Sequence, residues 1–212
     1  MIHCCPLCNG TGTELYKNIK RERLYYQCNN CYGIYIDKKL ILNKKAEMLR
    51  YQEHNNDVED KKYQEFVSPI TSAILRDFSQ NNKGLDFGAG TGPVISKVLK
   101  DREYNIVEYD PFFHNYPGLL EKRYDYIACC EVIEHFRNPK KEFILLKKLL
   151  TENGKLYCMT SIYSENIDFH NWRYKNDQTH IFIYHKKTIQ WIKEQIGFLN
   201  VIIEGRLITF SK

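Results

Sequence analysis

The stretch LDFGAGTGP, from Leu85 to Pro93, constrains this chain more than any other. Leu85 and Phe87 predict a buried strand, and Val94, Ile95, Val98 and Leu99 predict one face of a helix that starts just after the turn. Between them Gly88, Gly90 and Gly92 alternate. Glycines in such a bend allow a left-handed backbone and let a ligand approach the main chain, while the start of the helix turns N–H groups toward the same point. Alone, GxGxG marks either a nucleotide-type ligand or a tight strand-to-helix turn. A second strand, Asn105 to Tyr109, ends at Asp110, where α/β nucleotide sites keep a carboxylate for ribose hydroxyls. The turn lacks both the GxGxxG spacing and a following Gly-Lys-Ser/Thr, which sets aside the nicotinamide and P-loop patterns.

Composition limits what can surround this unit. At 212 residues and 43% hydrophobic content, the chain accommodates one full α/β domain and a small appendage. Its formal charge of +5 is spread along the chain, as solvated helix faces spread it, without the clustering of a nucleic-acid footprint. No apolar run approaches the ~18 residues of a membrane span, and no export leader opens the chain, so the expectation is a cytoplasmic protein without a membrane partner.

Five of the eight cysteines crowd the first 31 residues. Cys5-Pro-Leu-Cys8 and Cys28-Asn-Asn-Cys31 form two CxxC pairs with 19 residues between them, which is zinc-ribbon spacing. Each turn can aim two thiolates at one ion, and together they complete a closed tetrahedral shell for structural Zn2+. The segment has few apolar residues, so metal binding and folding should be coupled. A disulfide pair is the other reading, and it requires an exported protein. Cys4 reads as a spare thiol, and Cys129, Cys130 and Cys158 read as core.

From Lys38 to Lys83 the chain is charged and helical, with Tyr63, Phe66, Val67, Ile70, Ile74 and Phe78 at helical spacing and Pro69 marking a break or kink. Residues 1–37, 38–83 and 84–212 are the expected ribbon, helical cap and main domain. The cluster RYQEHNN, Arg50 to Asn56, is either a solvated connection or, through Arg50, Tyr51, His54 and Asn55, the roof of a substrate cleft.

Read together, these segments resemble the class I S-adenosylmethionine-dependent methyltransferases. LDFGAGTG matches their first motif, VEYDP the acidic end of their second strand, YDYIACCEVIEHF their fourth-strand motif and GKLYCMTSIY their fifth strand, all in the expected order. With the ribbon and RYxxHNN, the chain looks like a bacterial group of zinc-ribbon-bearing methyltransferases. The resemblance implies an α/β fold, a doubly wound Rossmann-like sheet with a C-terminal antiparallel hairpin, Phe198 to Glu204 and Leu207 to Ser211, plus the small ribbon. It implies that Asp86, Gly88, Ala89, Gly90, Thr91 and Gly92 contact the amino-acid part of S-adenosylmethionine, or of its product S-adenosylhomocysteine, and that Asp110 contacts the ribose. Pro111, Phe112 and Glu131 would complete that surface. The acidic residue that often follows the third strand of this fold has no equivalent in FFHNYPGLLEKR.

Polar residues just after the strands of such a sheet are the candidates for chemistry. Glu131, Glu134 and His135 follow the fourth strand, and Ser161, Tyr163 and a polar loop reaching His180 follow the fifth. Glu131, His135 and His180 are expected as the polar catalytic wall, with His135 the natural base by pKa. Glu131-x-x-Glu134-His135 together with His180 could instead hold a divalent cation. That arrangement is similar to the metal site of the small-RNA 2′-O-methyltransferases and to the ExxEH of ubiquinone-pathway O-methyltransferases. Trp172, Arg173, Tyr174, Phe182 and Tyr184 flank His180, either as a lid over a small-molecule acceptor, Trp172 and Tyr174 touching it, or as a stacking surface for RNA. Methyl transfer to O or N of a small molecule is the expectation. The alternatives are an RNA-directed enzyme and a zinc-ribbon nucleic-acid-binding or adaptor module on an inactive methyltransferase fold.

Overall fold

The computed structural model describes residues 3–19, 22–53 and 56–212. Three strands open the chain, β1 (Gly12–Asn18), β2 (Arg23–Cys28) and β3 (Ile34–Ile36), followed by the helices α1 (Lys44–Gln52), α2 (Lys61–Phe66) and α3 (Ser68–Asp77). Then come β4 (Lys83–Phe87), α4 (Val94–Lys100), β5 (Asn105–Tyr109), β6 (Tyr124–Cys130), α5 (Pro139–Leu149) and β7 (Leu150–Met159). The chain ends with β8 (Phe182–Ile183), α6 (Lys186–Ile196), β9 (Asn200–Glu204) and β10 (Leu207–Ser211).

Two sheets result. The larger has the order β5-β4-β6-β7-β10-β9, with β5, β4, β6 and β7 parallel and β10 antiparallel to both β7 and β9. Period-two alternation sorts its core into two faces. Leu85, Phe87, Ile127, Cys129, Leu156 and Cys158 face α5 and α6, whereas Tyr126, Ala128, Tyr157 and Met159 face α3 and α4. The order reverses beside β4: β5 lies on one side of it and β6 on the other. Ligands of open α/β sheets sit at such a switch point, beyond the carboxyl ends of the strands.

Local chemistry accounts for the boundaries. Pro69 stands in the first turn of α3, so the expected break falls at Val67, between α2 and α3. The Asn138 side chain accepts from the Lys141 N–H at 3.2 Å and caps α5 behind Pro139, and Gly197, at φ +81°, ends α6 in the left-handed conformation. The helix α5 ends at Leu149, and Gly154 lies within β7, where a Cβ would stand 3.2 Å from the Asp125 carbonyl oxygen. Among the described residues no strand separates β5 from β6. A short 3-10 turn, Pro117–Glu121, stands there instead, so YDYIACC is the third parallel strand of this chain. The missing third-strand acidic residue has a structural cause.

The smaller sheet has the order β1-β2-β3-β8 and is antiparallel throughout. Its last strand comes from the far end of the chain, so the cysteine-rich segment is not closed on itself. Phe182 packs where a Cβ on Gly33 would stand, and it shares one core with Tyr26, Tyr35 and the α5 face of the larger sheet. Phe182 and Tyr184, expected in a loop, are fully buried.

Gly84→Val tests the packing beneath β4, because any side chain there meets the Tyr126 ring. The expected loss is about 1–3 kcal/mol in urea unfolding, without a change of secondary structure by circular dichroism.

Candidate active site and cysteine cluster

The glycine turn after β4 is folded against the end of β5. Gly88 (φ +79°) and Gly90 (φ +65°) take the left-handed conformation, and the N–H groups of Gly88 and Ala89 both donate to the Tyr109 carbonyl, at 2.7 and 3.2 Å. One oxygen of the buried Asp110 carboxylate accepts from the Gly90 N–H at 3.1 Å, and the other accepts from Phe112 and Phe113 N–H at 2.8 and 3.1 Å. Three main-chain donors therefore fix this carboxylate at the switch point. A Cβ on Gly90 would meet only the Asn56 amide, at 3.7 Å, so the turn leaves a cradle of the kind a ligand fills; Gly92 is covered by the Asn56 main chain. Asp86, on the opposite side of β4 from Leu85 and Phe87, accepts from the Ser96 hydroxyl at 3.1 Å, and burial pushes its carboxyl up to about 7.

The expected acceptor wall forms a run of touching rings. Phe112 meets Tyr51 (centroids 5.7 Å), Tyr51 meets His135 (5.3 Å), His135 meets His180 (5.0 Å), His180 meets Tyr174 (4.2 Å) and Tyr174 meets Trp172 (5.1 Å). The structure thus joins residues up to 129 positions apart (Tyr51 and His180) and links the Asp110 end to the loop after β7. Both histidines are oriented by carbonyls: His135 Nδ1 lies 2.8 Å from the Thr179 oxygen and His180 Nδ1 2.7 Å from the Tyr174 oxygen. A carbonyl only accepts, so each Nδ1 carries the proton and each Nε2 keeps a lone pair. Burial lowers the basicity of both rings, with His180 brought down to about 4 by burial and by its neighbour His135.

Charged residues hold this wall in place. Burial opposes ionisation of Asp177, but the Thr179 hydroxyl (2.6 Å) and N–H (2.9 Å), with His180 and Arg50 nearby, bring it down to about 2. Arg50 reaches Asp177 at 3.3 Å and Glu53 at 2.5 Å, while Tyr51 donates to Glu47 at 3.0 Å. His54 and Asn55 lie outside the described residues. Glu131 does not join Glu134, His135 and His180, whose donor atoms alone lie within 4.8 Å of one another. It pairs with Arg206 at 2.5 Å and occupies a left-handed backbone position (φ +51°); burial and the nearby Glu134 push its carboxyl up to about 8 against the pull of Arg206. Sequence reasoning named no site role for Arg206, nor for Asn56 at the end of the RYQEHNN cluster. A lone basic residue in a hairpin turn and an asparagine between helices carry no periodic signal.

The cysteine cluster is built from two equivalent turns. In each, the first cysteine's N–H donates to the carbonyl of the glycine two residues past the second cysteine (Cys5 to Gly10, 2.8 Å; Cys28 to Gly33, 2.9 Å), and the residue after the second cysteine is left-handed (Asn9 φ +60°, Tyr32 φ +62°). Cys5, Cys8, Cys28 and Cys31 converge, with Sγ–Sγ distances of 3.6 Å for Cys5–Cys31 and 3.3 Å for Cys8–Cys28. A tetrahedral Zn2+ with ~2.3 Å bonds to sulfur has edges of about 3.8 Å, so a small outward relaxation accommodates the ion. Gly10 and Asn30 N–H groups point at the sulfurs of Cys8 and Cys28, each at 3.4 Å. Cys4 is exposed and outside the cluster.

A parallel sheet switching beside β4, a glycine turn cradled against an acidic strand end and a C-terminal antiparallel hairpin define the class I methyltransferase fold. A family model described as "Methyltransferase domain" matches residues 59–202, and the chain belongs to that family. It is similar in structure to a Burkholderia thailandensis 1,6-didemethyltoxoflavin-N1-methyltransferase with bound 1,6-didemethyltoxoflavin and S-adenosylhomocysteine (13% identity, 94% of this chain and 98% of that one, TM-score 0.55). It is likewise similar to a SAM-dependent methyltransferase from Archaeoglobus fulgidus (16% identity, 70% and 94%, TM-score 0.55). A structure of PigF with SAH aligns at 16% identity and a TM-score of 0.49 over 77% of this chain, which spans 60% of that protein's length. No curated protein sequence matches the chain significantly. Among the described residues no helix is long and apolar enough to cross a membrane.

Two outcomes test these assignments. Between about pH 4, where an ordinary Asp ionises, and about 7, the folded state keeps the Asp86 proton that the unfolded chain has released, so this group costs stability as pH rises through that window. Asp86→Asn should therefore gain on wild type by about 1–4 kcal/mol at pH 8 and little at pH 4, read by urea unfolding at both pH values. Cys31→Ala should bring zinc, measured by elemental analysis, from one per chain toward none, and speed amide exchange at Ile34–Ile36 and Phe182–Ile183 together.

Proposed function

We propose that this chain is a cytoplasmic S-adenosylmethionine-dependent methyltransferase that moves a methyl group to O or N of a small-molecule acceptor. The three parts expected from the sequence serve it as a zinc-bound ribbon (residues 1–37), a helical cap (38–83) and the catalytic domain (84–212). The observation that carries the reading is Asp110: a buried carboxylate locked by the N–H groups of Gly90, Phe112 and Phe113 beside an open glycine turn. When bound, S-adenosylmethionine supplies an electrophilic methyl carbon whose leaving sulfur needs no acid.

The chain's own residues do the rest. Asp86 and the main chain of Gly88, Ala89, Gly90, Thr91 and Gly92 would hold the amino-acid part of the cofactor, Asp110 and Pro111 the ribose, and Phe112 and Glu131 its flanks. Arg50, Tyr51, Trp172 and Tyr174 would enclose the acceptor and exclude water, and positioning of this kind is the main lever on an in-line displacement. His135 and His180 are neutral near pH 7 and keep Nε2 lone pairs, so they can orient an acceptor O–H or N–H and take its proton, with Glu131 held at the edge of the wall by Arg206.

Calorimetric titration with S-adenosylhomocysteine tests the reading. Wild type should bind at micromolar affinity, and both Asp110→Ala and Gly90→Val should weaken binding at least about tenfold, the first by removing the carboxylate and the second by filling the cradle. Tight RNA binding by a well-folded protein that takes neither S-adenosylmethionine nor S-adenosylhomocysteine would favour the adaptor alternative.

A further inference from the structure

One buried group has no use in the wall described so far. Glu134 is completely buried; one of its carboxylate oxygens accepts from the Tyr174 hydroxyl at 2.5 Å, and the other, Oε2, has no hydrogen-bond partner among the described residues. An ionised carboxylate oxygen left in this state is costly unless a cation meets it. Two imidazoles stand beside it, each donating its Nδ1–H to a carbonyl, so that Nε2 keeps the lone pair a cation can use.

We propose that Glu134, His135 and His180 form a binding site for a first-row divalent transition cation, whose remaining coordination positions face the acceptor. This deepens the methyltransferase reading and rests on it: with both Nε2 lone pairs on the ion, the ion in place of the histidines would orient and acidify the acceptor oxygen beside the cofactor crevice, its proton passing to solvent. Donor chemistry sets the class of ion. Two imidazole nitrogens and one carboxylate suit Mn2+, Fe2+, Co2+ or Zn2+, whereas Mg2+ and Ca2+ favour oxygen. Three protein ligands leave positions open, unlike the four-sulfur shell of the cysteine cluster. His135 and His180 are only half-buried, so the ion would be reachable from solvent and from the Tyr51 side. A hydroxyl on such an ion ionises far more readily than in water, as bound water does, which assigns the acceptor to hydroxyl compounds within the O or N alternatives.

The supporting shell is also present. Tyr174 bonds both Glu134 and, at 2.7 Å, the Thr160 hydroxyl, and the Glu134 carbonyl accepts from Ile181 N–H at 3.0 Å. Arg206 draws Glu131 out of the set, so the ligands number three and not the four that the sequence spacing offers.

Purified full-length protein with zinc in the cysteine cluster, dialysed against a weak chelator until one zinc per chain remains, is titrated with cobalt(II) and followed by visible absorption. The expected result is one further equivalent with weak d–d bands of nitrogen and oxygen ligation, separate from the strong sulfur charge-transfer absorption that cobalt in the cysteine cluster would give. His180→Ala and Glu134→Gln should each weaken that binding at least about tenfold. Should Glu134→Gln not fold by circular dichroism, His180→Ala, whose ring is not fully buried, decides alone. The proposal is overturned if wild type binds S-adenosylhomocysteine yet takes no second equivalent, or if folded His180→Ala keeps the cobalt affinity of wild type. Cobalt uptake without S-adenosylhomocysteine binding would leave the ion site standing and sink the methyltransferase reading.

Discussion

The pairing of β3 with β8 is the contact on which the candidate site depends. Ile34 and Tyr35 of the cysteine-rich segment pair with Ile183 and Phe182, and Ile36 N–H donates to the Ile181 carbonyl at 3.0 Å. Ile181 in turn donates to the Glu134 carbonyl, and the Tyr25 hydroxyl from β2 donates to the carbonyls of His180 and Lys175 at 2.9 and 3.1 Å. The loop after β7 is therefore held from both sides, by the ribbon sheet and by the end of β6. His135 and Thr179, the residue before His180, stand 44 positions apart in the chain, and the β3–β8 pairing holds the loop where the His135 ring reaches the Thr179 carbonyl.

Burial without full compensation is the second organising feature. Asp86, Glu131 and Glu134 all sit where burial raises their carboxyls, to about 7, 8 and 7, whereas the half-buried Asp77 and Asp177 are held low by direct donors. Lys155 and Tyr157 reach Asp77 at 2.8 and 2.7 Å, and its role is structural. The raised group lies along the carboxyl ends of β4 and β6, where a bound cofactor or cation would add the missing interactions. Carboxyls pushed away from their ordinary range tend to cluster at working sites for this reason.

Much of the fold was legible because its signals are local. The strand Asn105 to Tyr109, the helix that starts at Val94 after the glycine turn and the hairpin strand Leu207 to Ser211 each depend on a few neighbouring residues, and each stands where the sequence places it. Gly154 shows where local reading stops. A glycine after a helical run reads as a helix terminator, but β-sheet pairing with β6 takes the chain from Leu150 onward, and the glycine serves close packing within the strand. Phe182 is similar: two residues are too short a strand to carry a period, and only the exposed edge of β3 made one of them.

By itself the sequence determined the sheet's parallel strands, the glycine turn and the two CxxC turns, because each arises from backbone geometry or residue spacing within about ten positions. Tertiary structure alone decided that the ribbon lends its edge to the loop carrying His180, that Arg206 withdraws Glu131 from the histidines, and that Asn56 covers Gly92. Those contacts join segments tens to well over a hundred residues apart. Their partners are selected by which surfaces the packed sheets bring within a few ångströms, a quantity that no spacing along the chain encodes.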